Sequence, residues 1–232
     1  MELLQTLNLD YNRLTSITGL EHCNKLKRLF LNKNSIQEIN GLIYSFELAE
    51  LYMNDQNISE GSGGLGMSFD KDSMIGASES LKVLEIEGNK VRKTENLEYL
   101  RNLDRLKIGR NSIESVIDLE LPLTCMTALS DLDYVGNPFE QGKKTRDFVL
   151  MMGLNIRELN KKTIMNHERE FLFKFHKKRQ NAKKGGIDSE DFKDCDPQQL
   201  LTVNGDMIEE KQLRNIAHIK QHEKSSSQGF QM

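Results

Sequence analysis

From residue 4 to residue 137 the apolar positions return in a fixed order: Leu, two variable residues, Leu, one variable residue, Leu, two variable residues, Asn. Six copies open at Leu4, Leu26, Leu48, Leu81, Leu103 and Leu129, with spacings of 22, 22, 33, 22 and 26 residues. In the second copy Leu26, Leu29, Leu31, Asn34 and Ile36 fill the pattern, and Lys27, Arg28, Phe30, Asn32 and Lys33 lie between them. The alternation around Leu29 and Leu31 has the period of a short strand with one buried face. A second apolar beat follows the strands, at Ile17 and Leu20, Ile39 and Leu42, Leu97 and Leu100, and Val116 and Leu119. Each copy therefore reads as one turn of a coil, out along a strand and back through a helical turn.

A single copy cannot bury its own leucine row, and a fully buried Leu contributes only about 1.5–3 kcal/mol, so stability has to come from stacking coil on coil. Together with the motif, this predicts an α/β leucine-rich-repeat solenoid with short parallel strands on the concave face and helical turns on the convex face. Asn12, Asn34, Asn89, Asn111 and Asn137 stand where the chain turns away from each strand, placed to satisfy buried backbone groups. Gln56 occupies that position in the third copy and predicts a distorted turn there.

The predicted organisation is repeats over 1–137 with an insertion at about 59–79, a C-terminal cap over 138–165, a basic helix over 166–184 and a flexible tail over 185–232. In the cap, Thr145 to Leu150 read as an amphipathic helix, and Leu154, Ile156, Leu159 and Ile164 as a closing segment. Phe69 and Met74 are placed to pin the insertion onto the core. Met1 to Leu4 lead straight into the first copy with nothing polar ahead of Leu7 and Leu9, so either an upstream extension or a partner is expected over that edge.

Composition narrows the function classes. At 232 residues and 37% apolar content the chain can fill a core, and no run approaches the roughly 20 apolar residues of a membrane span. Cys23, Cys125 and Cys195 form no close pair, which suits a reducing compartment, cytoplasmic or nuclear; Asn57-Ile58-Ser59 is then an unused sequon. The net charge of -3 argues against nucleic acid as the main partner.

The 22-residue period with its closing segment resembles the leucine-rich-repeat regulatory subunits of protein phosphatase 1 and their ciliary relatives. The likeness covers roughly Leu26 to Lys184. It is carried by Glu50-Leu51-Tyr52, Ser68-Phe69-Asp70, Ser73-Met74, the run Ser80 to Ile86, and Asn166 to Leu172, the insertion being its most specific part. The resemblance implies association with the phosphatase catalytic subunit or an axonemal complex, and a centrosomal, basal-body or axonemal setting on the cytoskeleton. A spliceosomal leucine-rich-repeat adaptor shares the short repeat and cap, but the insertion argues against it.

The candidate binding surface follows from the alternation: residues between the leucines face the concavity. Arg28, Phe30 and Tyr52 lie in the second and third copies, Glu50, Asp55, Glu85 and Glu87 form an acidic band, and Arg105, Lys107 and Arg110 make the fifth copy basic. Two aromatics beside a band of one sign suit a protein partner. No short basic-x-Val-x-Phe docking motif is found, so a phosphatase contact would use this face. On the basic helix, Phe171, Leu172 and Phe175 mark one side, while Lys174, Lys177, Lys178 and Arg179 make an acidic partner such as tubulin the natural alternative.

The rest of the chain offers no chemistry. Gly61-x-Gly63-x-x-Gly66 lacks the strand-turn-helix setting of a dinucleotide site and is read as loop. His218 and His222 stand four apart without further ligands, so no metal and no cofactor is expected. Nor is there a Gly-x-Ser-x-Gly elbow, a Walker loop or a clustered Ser, His and Asp set, and the chain is not expected to be an enzyme. Beyond Gly185-Gly186 an acidic linker and a short helix over 206–222, opened by a capping box at Asp206 and Glu209, are expected.

Overall fold

The computed structural model describes residues 3–58, 66–142 and 144–184, with side chains described as far as Phe175 in the last stretch. Two compact units divide the chain, Met1–Ile164 and Met165–Met232. In chain order the first contains strands β1 (Thr6–Asn8), β2 (Arg28–Phe30), β3 (Glu38–Ile39), β4 (Glu50–Tyr52) and β5 (Ser68–Phe69), helix α1 (Lys71–Ala77), strands β6 (Val83–Glu85) and β7 (Arg105–Lys107), helix α2 (Glu120–Cys125), strand β8 (Asp131–Asp133), helix α3 (Thr145–Met152) and strands β9 (Glu158–Leu159) and β10 (Lys162–Thr163). The second contains helix α4 (Asn166–Lys184).

Eight strands form one sheet in the order β1-β2-β4-β6-β7-β8-β9-β10, parallel except for the last pair. Its register sets Leu7, Leu29, Leu51, Leu84, Leu106, Leu132 and Leu159 side by side. From Leu29 to Leu159 every member of that row is fully buried, as are Leu31, Met53, Ile86 and Ile108 of the neighbouring row. This is a leucine-rich-repeat solenoid. Where the sequence pattern gives six copies, the row has seven members: Ile156, Leu159 and Asn160 make a last, shortened coil, with Asn160 Oδ1 accepting from the Tyr134 amide at 3.0 Å. Asn160 and Lys161, both left-handed at φ 53° and 62°, then turn β10 back antiparallel on β9 and cover its outer edge. Helix α3 buries Phe148, Val149, Leu150, Met151 and Met152, whereas Leu154 is exposed.

Each strand leaves through one repeated turn. The residue just before the conserved amide is left-handed in all six copies, at Tyr11, Lys33, Asp55, Gly88, Arg110 and Gly136, with φ between 51° and 86°. That kink swings the next side chain inward, where it replaces the strand hydrogen bonds lost at the bend. Asn111 is typical: Oδ1 accepts from the amides of Asn89 (2.9 Å) and Val91 (3.0 Å), while Nδ2 donates to the carbonyls of Ile86 (3.0 Å) and Ile108 (2.9 Å). Asn34, Asn89 and Asn137 act likewise and are almost wholly buried.

The distortion expected at Gln56 does not occur. Its longer side chain donates to Leu31 O at 2.7 Å and accepts from the Ile36 amide at 3.0 Å, and Asp55 before it has a φ of 55°, within the range of its counterparts. A second polar row runs beside the first: Asp10 Oδ1 accepts from the Asn32 amide, Asn32 Oδ1 from Asn54, and Asn54 Oδ1 from Glu87, at 2.7–2.8 Å.

Two expectations about the convex side need correction. Helical turns appear at Leu97–Tyr99, at Val116–Leu119, which runs on into α2, and at Pro138–Gln141 after the sixth copy. The first two coils return instead through tight turns, and Ile39 belongs to β3. In the second coil the return is taken up by the insertion, whose described part is a strand and a helix rather than a loop. Strand β5 pairs in parallel with β3, and α1, capped by Asp70 Oδ2 accepting from the Ser73 amide at 2.9 Å, buries Met74 and Ala77. Phe69 and Met74 do pin it to the core. Gly76 permits the contact, since a Cβ there would lie 2.7 Å from the Cα of Ile43.

Asn111→Leu would remove both the acceptor and the donor of this bend from a dry interior. It is expected to cost about 1–3 kcal/mol, read as a lower urea midpoint, while Asn12→Leu in the exposed first copy stays within about 0.5 kcal/mol. Equal midpoints for the two variants would contradict the role given to the buried row.

Candidate concave binding face

With the leucine row fixed inward, the register places the alternate side chains of β1, β2, β4 and β6 to β9 on the concave face in two rows. One runs Thr6, Arg28, Glu50, Val83, Arg105, Asp131, Glu158; the other runs Asn8, Phe30, Tyr52, Glu85, Lys107, Asp133. Every strand residue named from the sequence lies on this face. Asp55, Glu87 and Arg110 stand just beyond the strands, in the bend.

Phe30 and Tyr52, neighbours across β2 and β4, stack with ring centroids 4.7 Å apart and planes 3° from parallel. The Tyr52 hydroxyl donates to Glu50 Oε2 at 2.9 Å. Burial, then that hydrogen bond, then the charges of Glu50 and Glu85 push the Tyr52 phenol up to about 12. Lone aromatics in solvent do not behave this way; here the stack is a half-buried, pre-ordered platform.

The separate acidic band and basic copy do not exist as free zones. Glu85 pairs with Lys107 at 2.7 Å, Arg105 with Asp131 at 2.8 Å, and Arg110 bridges Asp55 at 2.8 Å and Glu87 at 3.8 Å. Stacked coils put residues that are 22 to 55 positions apart in sequence next to one another, so opposite signs neutralise. At their partial exposure such pairs contribute about 0–1 kcal/mol each, and their main effect is to fix side-chain positions. Arg28, bonded to Thr6 Oγ1 at 3.2 Å, and Glu50 have no opposite charge among the described residues within bonding distance. These two flank the aromatic stack, and the candidate site contracts to Arg28, Phe30, Glu50 and Tyr52.

Asp131, Asp133 and Glu158 also face the concavity and were missed by sequence reasoning. The first two follow from the same alternation applied to the sixth copy; the last belongs to the coil whose motif is too short to count. Asp133 is buried, accepts from the Val135 amide at 3.1 Å and lies 3.7 Å from Lys161.

In the second unit, Phe171 and Phe175 of α4 stack at 6.1 Å and are exposed with Phe173, while Leu172 is buried. Lys174 lies 3.5 Å from Glu170. The side chains of Lys177, Lys178 and Arg179 lie outside the described residues, as do Gly61, Gly63, the acidic linker, the 206–222 segment, His218 and His222. Among the described residues no group of three metal-ligating side chains occurs, and no helix is long and apolar enough to cross a membrane. Cys23 and Cys125 are buried free thiols, and burial, helped by Glu98, pushes the Cys125 thiol up to about 11.

No family model matches the sequence. Among solved structures, the chain is similar to the crystal structure of the Drosophila melanogaster SNF/U2A' complex at 18% identity and a TM-score of 0.48, covering 78% of this chain and 87% of that one. It is also similar to an internalin from Listeria monocytogenes at 22% identity and a TM-score of 0.42, covering 67% of this chain and 53% of that one.

Tyr52 is expected to ionise last among the tyrosines in an absorbance titration at 295 nm, near pH 12. Glu50→Gln is expected to lower it by removing the charge and weakening the hydrogen bond, while burial, the largest cause, still holds it up. Because the folded value lies above the unfolded one, its contribution to stability is whole below about pH 10 and is lost as the pH rises through about 12.

Proposed function

We propose that this chain is a non-catalytic scaffold that holds a protein partner on its concave face, and that the partner is the catalytic subunit of protein phosphatase 1. The observation that carries the scaffold reading is the Phe30–Tyr52 stack with Arg28 and Glu50 beside it. An ordered aromatic platform gives a partner apolar area at little entropic cost, and a neighbouring cation and anion that are not tied up in an ion pair select and orient what lands there. The paired charges on either side supply a polar rim.

The phosphatase half of the reading rests on sequence resemblance. The insertion, with Ser68-Phe69-Asp70 and Ser73-Met74, and the segment Asn166 to Leu172 are similar to protein phosphatase 1 regulatory subunit 42, the testis leucine-rich-repeat protein. The insertion is a built part of this fold, with β5 on β3 and α1 on the convex turn, and so belongs to the scaffold. A place at the centrosome, basal body or axoneme follows from the same resemblance and stands or falls with it.

A second reading is a structural microtubule-associated part of the axoneme, held through α4 and binding no phosphatase. The exposed Phe171 and Phe175 on a basic helix favour it. Charge reversal at Lys177, Lys178 and Arg179 would then abolish microtubule co-sedimentation.

Calorimetry of the full chain with purified phosphatase 1 catalytic subunit is the deciding measurement. Micromolar or tighter binding is expected, with a loss of more than about 2 kcal/mol, roughly thirtyfold, in a Phe30→Ala, Tyr52→Ala, Glu50→Lys variant shown by circular dichroism to be folded. No binding by the native chain rejects the phosphatase; unchanged binding by the variant rejects this face.

A further inference from the structure

On strands β6 to β8 of the concave face every charge has an opposite partner: Glu85 with Lys107, Arg105 with Asp131, and Asp133 with Lys161. Arg28 and Glu50 differ. They stand in neighbouring register positions on β2 and β4, yet each turns to a hydroxyl instead of to the other. Arg28 Nε donates to Thr6 Oγ1 at 3.2 Å, and Glu50 Oε2 accepts from the Tyr52 hydroxyl at 2.9 Å. On its other side Glu50 meets the uncharged Val83, and beyond Val83 stands Arg105, already paired with Asp131. A cation in the place of Val83 would neutralise Glu50 as Lys107 neutralises Glu85. Val83 is also half-buried and lies diagonally beside Tyr52, so it widens the apolar ground of the Phe30–Tyr52 stack.

We propose that this open pair recognises an amphipathic helix of the partner, which brings a carboxylate to Arg28, a lysine or arginine one turn away to Glu50, and an apolar side chain to the aromatic stack. The inference rests on the scaffold reading of the concave face and deepens it, whichever protein carries the helix. Spacing selects a helix. Neighbouring strands stand about 4.8 Å apart, and residues three or four apart on a helix are separated by about 5–6 Å, whereas same-side residues of an extended segment are about 6.6 Å apart. Charge selects the two signs. A segment of one sign satisfies one member of the pair and repels the other, and an uncharged segment covers both without a partner. Phe30 and Tyr52 stand two residues further along the same strands, so an apolar residue beside the charged ones lands on the rings. The hydroxyls of Thr6 and Tyr52 hold Arg28 and Glu50 apart beforehand, and the partner has no ion pair to break.

Selection from a phage-displayed library of random peptides on the immobilised full chain, at low salt, tests this without the phosphatase. Peptides enriched over a Phe30→Ala, Tyr52→Ala chain are expected to carry an acidic and a basic residue three or four positions apart with an apolar residue beside them. Those peptides are expected to bind an Arg28→Glu, Glu50→Arg chain at least about tenfold more weakly, because both contacts become repulsive. Charges of one sign, charges two positions apart, equal binding to the reversed chain, or no enrichment would each overturn the proposal. Calorimetry with the phosphatase reads a different claim: its failure rejects that partner, while the selected peptides still decide the helix.

Val83 supplies the second measurement. Val83→Lys sets a cation beside Glu50, whereas Val83→Thr keeps the branched shape without a charge. By fluorescence anisotropy a selected peptide is expected to bind the lysine variant at least about tenfold more weakly than the threonine variant, with the difference vanishing at about 0.5 M salt. Circular dichroism on both variants confirms that the solenoid is folded. Equal affinities for the two would show that Glu50 does not meet a partner cation, and would sink the idea.

Discussion

The bend after each strand is the constraint on which the rest depends. A strand that must turn back after a few residues abandons its hydrogen bonds in the middle of an apolar stack, where water cannot replace them. One left-handed residue and one inward amide solve this in each copy. The amide serves the backbone of its own coil and of the coil before it, so it couples neighbours as well as satisfying itself. Residues with side chains accept the left-handed conformation at Tyr11, Lys33, Asp55 and Arg110, a local strain that the surrounding contacts hold in place. Where glycine stands instead, the space is already taken: a Cβ on Gly88 would lie 2.4 Å from Asp55 Oδ1.

From that bend the concave face follows. Because each coil repeats the same turn, the leucines fall into register and the residues between them form straight rows across the strands. Registration makes chemical neighbours of residues far apart in sequence. It stacks Phe30 on Tyr52, and it sets Glu85 against Lys107 and Arg105 against Asp131. The surface is thus mostly neutral and orderly, with Arg28 and Glu50 beside the aromatic pair. Binding specificity in such a scaffold comes from a few side chains on a rigid frame.

The repeat was legible because its period is carried by leucine and asparagine, and physics gives those residues one use each at those positions. Gln56 misled for an understandable reason: one extra methylene looks disruptive, yet the extra reach serves the same carbonyl. The seventh coil escaped notice because Ile156, Leu159 and Asn160 are too few to form a pattern before the chain reverses. The insertion, read as a loop with two anchors, gave no hint of a strand pairing with β3, since a two-residue strand has no periodicity.

By itself the sequence determined the solenoid, the inward leucine row, the buried amides and which side chains face the concavity, because each follows from a local period that stacking must obey. Only the tertiary structure decided which of those facing residues remain available. Charge on a face depends on distances across strands, and those exist only once separate copies are brought into register.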